Sequence, residues 1–169
     1  VLEAASGQPL DRLTTDWLTR PAGRTDTAWR QRPEAFARVG NPTGLVTTPR
    51  DIAIMGQLVL DGGLASDQTR VISQAQLDAM FVRSATNPAY GRLWWLNGGE
   101  YRSSPGPANR EEGPLIDTAP ADLVAALGAM DRKLFVVPSL DLVVSRNGMS
   151  ADPGFNTELW RLIMAAAPN

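Results

Sequence analysis

Leu123-Val-Ala-Ala-Leu-Gly-Ala-Met-Asp-Arg-Lys-Leu-Phe-Val-Val-Pro-Ser-Leu-Asp-Leu-Val-Val-Ser-Arg146 is the stretch on which the fold turns. Three apolar, partly β-branched runs are parted by Asp131-Arg132 and by Pro138-Ser139-Leu140-Asp141, connections too short for anything but neighbouring antiparallel strands. The stretch predicts a three-stranded meander. Leu134-Phe-Val-Val137 and Leu142-Val-Val144 are continuous apolar runs, so both faces of the sheet should be covered. Helices are expected over it, giving an α+β fold of layered type, an antiparallel meander under helices with a helical subdomain. Residues 1–122 read as the helical and loop region, and residues 123–169 as the C-terminal strands and covering helix of the same domain.

Outward from that stretch, 169 residues with 43% hydrophobic and 20% charged side chains suffice for one ordinary domain, which buries about 70% of its unfolded surface. The net charge of -2 comes from 16 basic and 18 acidic residues mixed along the chain. No basic stripe follows a phosphate backbone, so nucleic acid is excluded as an expected partner. No window approaches the ~18 apolar residues of a membrane span, and the compartment stays open. With no His and no Cys, a Ser-His-Asp triad, a Cys-His pair and the common zinc sets cannot be built. Only oxygen ligands could hold a metal, and neither a calcium loop nor a Gly-rich phosphate loop occurs. No metal and no cofactor are expected.

Along the chain, residues 1–6 followed by Gly7 read as the last turns of a helix ending at a left-handed glycine. A helix without a beginning suggests a chain that belongs to something longer. Leu10, Leu13 and Trp17 have helical spacing between Pro9 and Leu18, which makes Trp17 a core residue. Residues 24–43 lack any period and read as a long surface excursion. In it Trp29 is either an anchor for the loop, the favoured reading, or the wall of a cleft. Thr48-Pro49-Arg50-Asp51 combines an N-cap hydroxyl, a first-turn proline and a carboxylate at the positive end of a helix that carries Ile52, Met55, Leu58 and Val59. Asp61-Gly62-Gly63 ends it, and Ser73 caps a second helix with Leu77, Met80 and Phe81. The methionines read as core filler. Tyr90 to Leu96 reads as a short strand whose two tryptophans face opposite sides. Residues 97–120 read as loop. Leu159, Trp160, Leu162 and Ile163 give the last helix a broad apolar face that covers the sheet.

Taken together, Gly44-Leu-Val-Thr-Thr-Pro-Arg-Asp51, Gly56-Gln-Leu-Val-Leu-Asp-Gly-Gly63, Tyr90-Gly91 with Trp94-Trp95, and Gly128-Ala129 ahead of Phe135 to Val144 carry a resemblance. In this order they resemble the serine β-lactamase and penicillin-binding-protein-like superfamily. Within it, the likeness is to class C-type esterases, amidases and 6-aminohexanoate-dimer-hydrolase-like proteins. It spans nearly the whole chain but only the C-terminal half of that family's domain, which implies an incomplete β-lactamase-like fold. The resemblance also implies an acyl-enzyme: a Ser in Ser-x-x-Lys attacks a carbonyl, a Lys and the Tyr of Tyr-x-Asn move its proton, and backbone amides bind the oxyanion.

This sequence departs from that pattern. Its one lysine, Lys133, follows Met130 by three residues, and neither Tyr90 nor Tyr101 begins a Tyr-x-Asn. Those motifs are expected upstream of Val1. The family's third motif, a Lys or His, a small residue and a Gly, is similar in position to Ala126-Leu127-Gly128, where only the Gly matches. By that alignment the Ala129 amide is the strand-borne oxyanion donor, and no side chain of this chain is assigned a catalytic role. The alternative for Gly128 is relief of crowding, or a bulge in the strand. Tyr90, Trp94, Trp95, Leu127, Gly128 and Ala129 are the candidate substrate-binding residues, with one tryptophan expected in the core and the other as an acyl-pocket wall. Asp131 and Arg132 read as a solvated charge pair.

Three functions follow from this reading. The chain is the C-terminal portion of a serine hydrolase acting on a small-molecule ester or amide and inactive alone, half of a split enzyme, or a non-catalytic binding module. In the first two, the partner is the missing N-terminal half of the domain. The edge of the strand Leu142 to Arg146 should then be bare, and the isolated chain prone to self-association.

Overall fold

The computed structural model describes residues 1–38, 42–103 and 109–167. Helix α1 (Leu2–Ser6) ends at Gly7 in the left-handed region, and α2 (Leu10–Thr14) runs into one π turn at Thr15–Thr19. That turn, closed by the Arg20 amide on the Thr15 carbonyl at 3.0 Å, takes in an extra residue and rotates the following face. Thr19 is therefore buried, while Trp17 is 61% exposed and not the core residue its spacing suggests.

Residues 24–43 are not a structureless excursion. Strand β1 (Ala28–Gln31), the short α3 (Glu34–Ala37) and β2 (Thr43–Val46) form an antiparallel pair in which Trp29 faces Leu45. The Trp29 indole donates to the Thr14 hydroxyl at 2.8 Å, so it pins β1 to α2 as an anchor would.

Helix α4 (Pro49–Leu60) starts as its sequence requires, with the Thr48 hydroxyl accepting from the Asp51 amide. Asp51 does more than answer the helix dipole. It is 1% exposed and its carboxylate accepts from the Thr27 hydroxyl at 2.5 Å and the Asp26 amide at 3.0 Å, tying the segment before β1 to α4. Helix α5 (Gln74–Met80) follows, capped by Ser73. Only Trp95–Leu96 of the Tyr90–Leu96 run is strand (β3). The rest folds back on itself, with the Gly91 amide on the Trp94 carbonyl at 2.8 Å and Leu93 at φ 66°. The region read as loop holds a second antiparallel pair, β4 (Tyr101–Ser103) and β5 (Arg110–Glu112). Asn97, 1% exposed, staples the chain after it to the sheet: its side chain bonds Ile116 in both directions and donates to the Pro120 carbonyl at 2.9 Å.

The meander forms as its turns dictate. Strands β6 (Val124–Leu127), β7 (Lys133–Val137) and β8 (Leu142–Arg146) are antiparallel neighbours, β3 adds to the outside of β6, and the order is β3-β6-β7-β8. All of β7 is buried. Leu134 and Val136 face α4 and α5 in a cluster with Val59, Leu77 and Trp94. Phe135 and Val137 face α6 (Phe155–Ala166), where Trp160 meets Phe135 edge-on at 5.5 Å. Both faces are covered. The cover by α6 is narrower than its sequence suggests, because Leu162 is 52% exposed. Among the described residues, β8 has no partner on its outer side.

Candidate functional site

Strand β6 ends at Leu127, so Gly128 and Ala129 lie in the β6–β7 turn and not in the strand. The Gly128 amide bonds the Arg132 carbonyl at 2.8 Å, and Met130 and Asp131 are both left-handed, at φ 59° and 61°. Two successive non-glycine residues in that region need support from outside the turn. Asp131 supplies it, and is no solvated partner of Arg132. Its carboxylate meets the Lys133 ammonium at 2.7 Å and accepts from the Ala151 amide at 2.6 Å, while its carbonyl accepts from Arg146 at 2.7 Å. The hydrogen bond from Lys133, followed by that from Ala151, holds the Asp131 carboxyl below the usual carboxylate range. Lys133 is 7% exposed and also donates to the Asn156 side chain at 2.6 Å. The one lysine of the chain is thus a structural cation that joins the turn to the start of α6.

Against the other side of this turn lies a groove of about 740 Å³. Leu127 and Gly128 border it at the end of the sheet, Trp94, Met55 and Met80 line it, and Leu45 and Val46 of β2 bring it a half-exposed apolar rim. Topology alone brings these segments together. Of the candidate residues, Trp94, Leu127 and Gly128 line the groove, and Ala129 is the next residue, exposed in the turn. Tyr90 and Trp95 are not among its lining residues: their rings meet edge-on at 4.9 Å, and Trp95 packs on the cluster that contains Phe135 and Trp160. The tryptophans do divide between the faces, but Trp94, 4% exposed in the core, is the one that also touches the groove.

Gly128 is informative because nothing in the fold demands a glycine there. Its φ of −107° suits any residue, and an added Cβ would meet the Arg132 carbonyl at 3.4 Å and the Arg132 Cβ at 3.7 Å, both ordinary contacts. Relief of crowding therefore does not explain it. What the missing side chain leaves open is the space in front of the turn. Sequence reasoning missed Arg92, Leu93, Arg132 and Asn147, which also line the groove. Arg92 and Leu93 were hidden because the left-handed position of the reversal is a leucine, where a glycine would have marked it. Among the described residues, no cluster of His, Cys, Asp and Glu has the makings of a metal centre.

Comparison with known proteins places these observations. A family model described as Beta-lactamase matches residues 1–145. Among solved structures, the chain is similar to "putative beta-lactamase from Bacteroides dorei DSM 17855", with a TM-score of 0.58 and 12% sequence identity over 98% of this chain and 53% of that one. That degree of identity speaks for the fold alone, and the chain spans about half the length of the protein it matches. No curated protein matches it.

Proposed function

The chain belongs to the beta-lactamase family, and from that premise we propose that it forms the C-terminal portion of a serine hydrolase that cleaves an ester or amide through an acyl-enzyme. The observation that carries this reading is the groove at the end of β6, with Gly128 at its border where neither backbone nor packing requires a glycine. A carbonyl held there lies beside exposed backbone, and the Ala129 amide serves as one oxyanion donor because an amide contributes without any particular side chain. Trp94 and Leu127 wall the acyl group, while Tyr90 and Trp95 support β3 from the opposite side of the sheet. The nucleophile and its bases come from Ser-x-x-Lys and Tyr-x-Asn sequences outside these 169 residues, either on the same polypeptide or on a docking chain.

The test is completion. The chain is combined with a polypeptide that carries both motifs, and hydrolysis of a chromogenic ester is followed. The completed enzyme should turn over, and Gly128→Val should lower kcat/KM on the order of a hundredfold, the scale of losing an oxyanion contact, with thermal stability unchanged. A folded complex without hydrolysis would count against the proposal.

A further inference from the structure

Two Asn-Gly pairs occur in the chain, Asn97-Gly98 and Asn147-Gly148, and the fold treats them in opposite ways. An asparagine followed by glycine is open to cyclisation on itself, because no side chain on the second residue hinders its backbone nitrogen in reaching the amide carbon. Backbone geometry reserves both second positions for glycine, with φ 71° at Gly98 and 152° at Gly148, so the difference lies with the asparagines. Asn97 is 1% exposed. Its side-chain oxygen accepts from the Ile116 amide at 2.9 Å, and its side-chain nitrogen donates to the carbonyls of Ile116, Ala119 and Pro120 at 3.1, 3.2 and 2.9 Å. That group cannot turn toward its own main chain without breaking these bonds. Asn156 is committed to the Lys133 ammonium, and Asn87 precedes a proline, which has no N–H to give up. Asn147, the first residue after β8, is exposed, as is Gly148, and its side chain has no hydrogen bond among the described residues. A Cβ added at Gly148 would meet nothing within 4 Å, so the pair has room to react.

We propose that Asn147-Gly148 is a site of self-modification whose product loosens the β6–β7 turn. The Gly148 nitrogen loses its proton to hydroxide and attacks the side-chain amide carbon of Asn147. The new C–N bond closes a succinimide as the bond to Nδ2 breaks, and that nitrogen leaves as ammonia, taking a proton from water. Water then opens the imide at either carbonyl, giving aspartate, or isoaspartate in which the main chain runs through the former side-chain carbon. The position matters because the segment that follows is laced to Asp131. The Arg146 guanidinium donates to the carbonyls of Asp131 and Met149 at 2.7 and 2.9 Å, and the Ala151 amide donates to the Asp131 carboxylate at 2.6 Å. An extra main-chain carbon between Asn147 and Gly148 lengthens this short loop, and hydrogen bonds that depend on distance and angle cannot all survive it. Isoaspartate therefore withdraws the support on which the left-handed Met130 and Asp131 rely. The inference does not depend on hydrolase activity.

The experiment holds the purified protein at mildly alkaline pH and follows peptides cut at glutamate by mass spectrometry, with fragmentation that localises each change. Isoaspartate is detected by labelling with an isoaspartyl methyltransferase. Position 147 should gain the mass of an amide NH2 exchanged for OH at least about tenfold faster than position 97, which reacts only when local opening frees it. Denaturant should bring the two rates together. Asn147→Gln, at an exposed position, should remove the reaction while circular dichroism stays unchanged. Aged protein should melt at a lower temperature than fresh protein, and in an Asp131→Asn background, where the carboxylate link is already gone, ageing should lower it less. Equal rates at the two pairs in the folded protein, or no reaction at Asn147 under conditions where the denatured chain reacts, would overturn the site. Isoaspartate at position 147 with an unchanged melting temperature would overturn the loosening of the turn.

Discussion

Asp131 sits where a loop residue would ordinarily be free to move, yet its carboxylate has Lys133 at 2.7 Å and the Ala151 amide at 2.6 Å. These contacts favour the charged form, so the folded carboxyl titrates below the range of about 4 that it has in an unfolded chain. The sign of the linkage follows. Its contribution to stability is complete above the unfolded pKa and disappears as pH falls through the folded one. Asp131→Asn should therefore lower the melting temperature near neutral pH, and the gap from the natural protein should close on acidification below the usual carboxylate range. A gap that persists in acid would show that the side chain's shape, and not its charge, holds the turn. Lys133 was legible as a residue but not as a partner, because a lysine amid Leu134, Phe135 and Val136 gives no sign in sequence of the Asn156 that meets it 23 positions later.

At the scale of elements, α4 comes close against the sheet at Gly56. A Cβ there would lie 2.5 Å from a Val143 methyl and 2.8 Å from a Leu134 methyl. Gly56→Ala would gain helix propensity on an isolated helix, but here it must push α4 off the sheet. Overpacking of this kind costs about 1–3 kcal/mol, so denaturant unfolding should show the variant less stable. A stabilised Gly56→Ala would mean that the helix rides higher than described. On the opposite face, Trp160 is fully buried with its indole N–H unpartnered among the described residues. Trp160→Ala should cost about 3–5 kcal/mol, and Trp160→Phe, which keeps the ring on Phe135 and removes the stranded donor, much less. The meander was readable because β-branched runs meet turn residues at Pro138 and Asp141. The pairs β1–β2 and β4–β5 were not, because none of their residues is buried, and without a buried face there is no alternation to read. Trp17 was misplaced for the same kind of reason, since a single π turn shifts a helical face without any mark in composition.

For the molecule as a whole, the unfinished places coincide. The outer edge of β8 has no partner among the described residues, and an apolar hollow of about 620 Å³ lies beside it, lined by Leu140, Leu142, Val144 and Ile163. On α6, Leu162 and Met164 are 52% and 40% exposed. An uncapped strand edge next to exposed apolar side chains is a template for another chain. The chain should therefore self-associate, with a sedimentation-average mass that rises with concentration. Leu162→Glu with Met164→Glu should shift it toward monomer without loss of helix content, since both side chains already face water. The groove at Gly128 was not legible as a site for a related reason: its walls come from residues 45–47, 52, 55, 80, 92–94, 126–128, 132–134 and 147, and only the completed topology brings them together. If the β8 edge is where the rest of a family domain docks, adding that polypeptide should abolish self-association and allow ester hydrolysis in the same titration. A chain that is monomeric at every concentration and melts at high temperature would mean that this edge is already satisfied, and would remove the physical reason to expect a missing partner.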